Sequence, residues 1–160
     1  MYRLPARRRA TVEIQKIRGR LNKMEKPKSL RLAIQETLLE FKAAPDRLRM
    51  TVLSGQIIPK RNTLSYEARY TLNIFVQEFH RDPAYLFLIV NKWLQENQPD
   101  ILCPGTDASS RAFVFEAEPI ESDVWDVMIE LKLTETVIAG LDENGLVSYK
   151  TKSEPPRPVF

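Results

Sequence analysis

Two long stretches of the chain alternate almost strictly between apolar and polar residues. In the first, Tyr66, Ala68, Tyr70, Leu72, Ile74 and Val76 are separated by Glu67, Arg69, Thr71 and Asn73, and only Phe75 breaks the polar register. In the second, within residues 124–137, Trp125, Val127, Ile129, Leu131 and Leu133 stand against Asp126, Glu130 and Lys132. Successive side chains of a strand point to opposite faces, so each stretch predicts a half-buried antiparallel strand. Helical spacing marks two other segments. Leu30, Ala33, Ile34, Leu38 and Phe41 make one apolar stripe, entered at Pro27-Lys28-Ser29 and ended before Pro45. Leu86, Ile89, Val90, Trp93 and Leu94 make the other, with Asp82 placed to cap it and Pro83 to open it.

The weaker signals fill in the rest. Residues 47–53 read as a strand, Ser54-Gly55 as a turn, and residues 56–59 as a short second strand. Residues 111–117 read as a strand centred on Phe113-Val114-Phe115, and 118–123 as a polar connection containing Pro119. Glu143-Asn144-Gly145 is a hairpin signal that folds residues 146–150 back onto the second long strand. The expected fold class is therefore α+β: an antiparallel-rich mixed sheet with two amphipathic helices packed on one face. Tyr70, Leu72 and Ile74 are expected to share a buried sheet face with Val127, Ile129 and Leu131, under Leu86, Val90 and Trp93.

Composition adds one asymmetry. The chain has 160 residues and a net charge of +3. Residues 1–28 hold ten Lys/Arg against two acids, or +8, while residues 29–160 carry −5. This divides the chain into a basic N-terminal extension over residues 1–28, one globular domain over 29–150, and a Pro-rich tail over 151–160. Within the extension, Arg7-Arg8-Arg9 centre a basic arm, and Ile14, Ile17, Leu21 and Met24 follow a helical period interrupted by Gly19. Residues 1–23 read equally as a leader helix, a docking arm, or a translated extension ahead of a second start at Met24. No apolar run reaches the ~18–20 residues of a membrane span. The single cysteine, Cys103, excludes an internal disulfide framework and suits a reducing, cytoplasmic setting as a buried thiol.

Candidate chemistry is sparse. His80 is the one histidine, at a strand-to-helix corner, and reads as a surface residue. Glu116, Glu118, Glu121, Asp123 and Asp126 cluster in sequence but lack the spacing of a calcium loop, so they read as a solvated acidic rim. Five glycines leave no Gly-rich phosphate loop. Trp93 and Trp125 read as core anchors and not as a platform for bases. No catalytic, cofactor-binding or metal-ligating residue is assigned, and no enzyme activity or cofactor is expected. From the residues alone the chain is a binding or structural protein.

Several blocks also occur together in a recognisable order: Pro45-Asp46-Arg47-Leu48, Leu64 to Asn73, Glu78-Phe79, Trp93-Leu94, Gln98-Pro99-Asp100, Phe113 to Ala117, and Leu131-Lys132-Leu133-Thr134-Glu135. In this the chain resembles the tail completion protein R (GpR) family of contractile-tailed bacteriophages and related prophages, over about residues 24–150. The resemblance implies a virion structural protein that caps the head-proximal end of the tail tube, ends its polymerisation and presents the surface the head joins. It implies as partners other copies of the chain in a ring, expected to be a hexamer, the tail tube protein, and neck or head-completion proteins. The implied location is the virion tail, with assembly in the host cytoplasm. Two alternatives stay open beside it: a nucleic-acid-binding regulator acting through the basic arm, and a small enzyme using the acidic rim with a cation. Specific nucleic-acid binding and membrane association are not expected.

Overall fold

The computed structural model of the protein describes residues 24–102 and 113–152. The expectations for residues 1–23, for Cys103, for the start of the strand at 111–112 and for the tail beyond 152 lie outside the described residues. In chain order the elements are helix α1 (Glu25–Thr37), a short helix α2 (Glu40–Ala43), strands β1 (Leu48–Pro59) and β2 (Tyr66–Phe79), helix α3 (Ala84–Asn97), and strands β3 (Phe113–Glu121), β4 (Val124–Leu141) and β5 (Val147–Thr151). Single 3-10 turns precede β1 and follow α3.

The strands form one sheet in the order β1-β2-β4-β3, with β5 also on β4. Every pairing is antiparallel, so the sheet is α+β in class as expected. The two alternating stretches form its centre, in the register Tyr70↔Leu133, Leu72↔Leu131, Ile74↔Ile129 and Val76↔Val127. All eight of these side chains are buried. Leu30, Ile34, Leu38 and Phe41 from α1 and α2, and Leu86, Val90, Trp93 and Leu94 from α3, complete the same core. The helices thus cover the face on which the apolar members of both alternations stand. Leu30, Leu72, Ile74, Leu86 and Ile129 are fully sealed from solvent, and burying each such side chain contributes roughly 1.5–3 kcal/mol.

Four local expectations are corrected. The first helix starts at Glu25, ahead of Pro27-Lys28-Ser29, so residues 25–28 of the basic extension are helical and Pro27 sits inside the first turn, where its missing N–H costs no intrahelical bond. Its stripe is split by a break at Leu38-Leu39. Residues 48–59 are one strand and not two: Ser54 (φ 53) and Gly55 form a bulge, across which the pairing steps from Leu53↔Thr71 to Gln56↔Arg69. A bulge inserts an extra residue without ending the ladder, which is why it carries the same residue types as a turn. Finally, β3 continues through Pro119 to Glu121 before a tight turn at Ser122-Asp123, with Asp123 at φ 63. Proline is tolerated there because β3 is an edge strand, whose outer N–H needs no ladder partner.

Candidate functional site

The residues weighed for chemistry are dispersed. His80 is exposed at the corner between β2 and α3. Glu116, Glu118 and Glu121 are exposed on edge strand β3, where Glu118 stands across from Asp126 of β4. Asp126 is occupied in structure: its Oδ1 accepts the backbone N–H of Glu78 at 2.9 Å, holding the irregular end of β2 where Glu78 has φ 54. Among the described residues no group of three or more His, Cys, Asp or Glu converges as a metal site. Trp93 is buried, and its Nε1 donates to Ser29 Oγ at 3.0 Å, tying α3 to α1. Trp125 is half-buried and paired with Phe79 and Pro119 at the other end of the sheet.

One polar cluster is buried, and it holds the start of α1. Met24 supplies no side-chain cap. Instead Glu135, on the inward face of β4, accepts the Lys26 backbone N–H on Oε1 at 2.8 Å and the Tyr70 hydroxyl on Oε2 at 2.9 Å. A carboxylate at a helix N-terminus satisfies an orphan amide and complements the helix dipole. The Lys26 ammonium donates to Gln98 Oε1 at 2.6 Å, and Gln98 Nε2 donates to Asp100 Oδ1 at 2.6 Å. Burial, and then the charge and hydrogen bond of Glu135, push the Tyr70 phenol well above its ordinary range. Alternation alone predicts an apolar residue at 135. A glutamate in that inward position, following Leu133, is the signal that could have found the cluster.

The surface has more to offer than the interior. Strand β1 has β2 as its one strand neighbour and β3 has β4, so both outer edges of the sheet lack a strand partner among the described residues. Leu48 is an exception at the start of β1, since its carbonyl accepts Arg31 Nη2 at 2.8 Å. Beyond it, Val52, Leu53, Ile57 and Ile58 are exposed along β1, and Val114, Phe115 and Ile120 along β3. Phe115 is 55% exposed although the Phe87 ring of α3 lies tilted against it, with centroids 4.4 Å apart. Exposed apolar strand edges are what soluble proteins usually blunt, and large ones mark interaction sites. Between α1 and α3 an open groove of about 560 Å³ is lined by Tyr85, Leu88, Ile89 and Trp93, with Glu36, Glu96, Arg81 and Lys92 at its margins. No helix among the described residues is long and apolar enough to cross a membrane.

A family model described as P2 phage tail completion protein R (GpR) matches residues 24–158. The chain is 39% identical, over 137 residues, to tail completion protein R of Escherichia phage P2, covering 84% of this chain and 86% of that protein. No solved structure matches. The matched segment begins at Met24, one residue before α1, and takes in every described element, so the chain belongs to the P2 phage tail completion protein R (GpR) family.

Proposed function

We propose that this protein completes the phage tail by capping the head-proximal end of the tail tube, ending its polymerisation and offering the surface to which the head is joined. It acts as a structural component of the virion tail and not as an enzyme, assembled in the host cytoplasm. The observation that carries the reading is the family membership over residues 24–158. The exposed apolar edges support it, because a cap must pair with neighbours while presenting no further surface equivalent to the tube's own. A ring of copies, expected to be a hexamer, suits a symmetric tube, since one interface is then repeated by rotation. Its partners are the tail tube protein and neck or head-completion proteins.

The experiment is electron microscopy of tails assembled with and without the protein in a phage whose own copy is disabled. A ring of density at the head-proximal end, lost together with length control and head joining when the protein is absent, is the expected result. A single copy per tail, or tails of normal length and full infectivity without it, would overturn the proposal.

A further inference from the structure

We infer that copies of this chain join head to tail through their sheet edges, β1 of one copy pairing antiparallel with β3 of the next. The inference rests on the ring reading above and specifies its interface. In the sheet order β1-β2-β4-β3 every neighbour is antiparallel, so β1 and β3 run in opposite directions. Placing the β3 of a second copy against β1 therefore continues the same antiparallel pattern and keeps the helices of both copies on one side. A β1–β1 contact between copies would instead turn one copy about a two-fold axis and bring like surfaces together.

Charge and side-chain size select a register. On the helix-free face, Arg49 of β1 is exposed, and Glu116 and Glu118 of β3 are exposed. On that same face, Val114 of β3 lies across from Glu130 and Glu118 across from Asp126, so the β3 edge is acidic where the β1 edge carries arginine. Setting Arg49 opposite Glu118 of the next copy aligns Val52 with Phe115 on the helix face, and Leu53 with Val114 on the other. All four of these apolar side chains are exposed in the single chain. A shift of two residues one way sets Arg49 opposite Ile120 and Leu53 opposite Glu116; the other way keeps a carboxylate, Glu116, opposite Arg49 but carries Leu53 past Phe113, the start of β3. An edge-to-edge pair of this kind takes its affinity from main-chain hydrogen bonds and its register from cross-strand side chains. Because the two edges differ, the contact is heterologous, and it closes into a ring when the rotation per copy divides a full turn.

The test uses the full chain in a Cys103→Ser background, with Leu53→Cys and Val114→Cys together. Under oxidation, the purified protein or tails assembled with it should give a ladder of covalent oligomers, while neither single-cysteine variant does. Arg49→Glu and Glu118→Arg should each reduce assembly at least tenfold in sedimentation or native mass measurement, and the double swap should restore it. Disulfide dimers from Leu53→Cys alone would overturn the head-to-tail pairing in favour of a two-fold contact. Rings seen by microscopy without the ladder, and without rescue by the double swap, would overturn this interface and leave the ring reading standing. Absence of any assembled form, free or on tails, would overturn both.

Discussion

Gln98 occupies, beside Thr134, the place that a neighbouring strand would take. Its Oε1 accepts the Thr134 backbone N–H at 3.1 Å, and its Nε2 donates to Thr134 Oγ1 at 3.0 Å. The position falls in the interval of β4 between Leu131, the last residue paired with β3, and Val137, where β5 begins to pair. One side chain therefore bridges a gap in the sheet and also receives the Lys26 ammonium. Gln98→Ala should leave the Thr134 N–H without its acceptor and take one acceptor from the Lys26 ammonium, at a cost of ~1–3 kcal/mol in chemical denaturation. A loss below ~0.5 kcal/mol, the scale of an ordinary surface change, would show that water replaces the carboxamide.

The Tyr70–Glu135 pair should make stability fall in alkali. The folded protein holds the phenol neutral above its ordinary value near 10, so above that pH the native state keeps a proton that the unfolded chain releases. The contribution is fully present below about pH 10 and is lost as pH rises beyond it. Tyr70→Phe should cost ~1–3 kcal/mol at neutral pH, because Glu135 Oε2 loses its donor. The same variant should lose less further stability than the parent between about pH 9 and pH 11. Equal losses in the two proteins over that interval would mean that the phenol ionises freely in the folded state.

Trp93 is 4% exposed and packs in the core cluster while its indole N–H reaches Ser29. Trp93→Ala should cost ~3–5 kcal/mol as a large-to-small core substitution. Trp93→Phe keeps most of the volume and should cost well under half as much. Thermal and denaturant unfolding of the two variants side by side separates packing from the hydrogen bond. A cost under ~1 kcal/mol for the alanine variant would place the indole's main contacts elsewhere, on a partner.

Removing residues 1–23 takes away eight Lys/Arg and one acid, turning the net charge from +3 to −4, in a chain whose family match begins at Met24. The truncated protein should keep its circular dichroism and its unfolding midpoint, and should complete tails as well as the full chain does. If the segment docks on an acidic neighbour in the neck, head joining will instead drop and will respond to salt, since exposed charge contacts are screened within ~8 Å at physiological ionic strength. Loss of folding on truncation would refute both versions. Loss of nucleic-acid binding alone would favour the regulator.

The centre of the sheet was legible in the sequence because its information is local. Alternation over Tyr66 to Val76 and over Trp125 to Leu133 sets which side chains face the helices, and the register follows once both faces are assigned. The start of α1 was not legible, because its cap comes from Glu135, far along the chain, and not from the Pro27-Lys28-Ser29 segment that reads as its entry. The joined strand β1 was hidden for a different reason. Ser54-Gly55 is a turn signal by composition, and only the presence of β2 alongside keeps the chain running straight on. The exposed edges were invisible at the sequence level, since Val52 and Phe115 look like core residues until the strand order leaves them outside.

The order in which β2 acquires its two neighbours has a consequence for how the chain is made. Strand β1 precedes it directly, so a β1–β2 hairpin can form from local chain. The other neighbour, β4, begins only at Val124, after α3 and β3 have been synthesised. At ~5–20 residues per second of translation, the inward row of β2 stays without its sheet partner for several seconds while β1 already fixes its shape. Helices α1 and α2 are available from the outset, and can lie on that row before β4 arrives. Substitutions that shrink Leu30 and Ile34, which share the core with Leu72 and Ile74, should therefore lower the yield of soluble protein by more than their effect on equilibrium stability, because they act during the interval when the nascent sheet is half built.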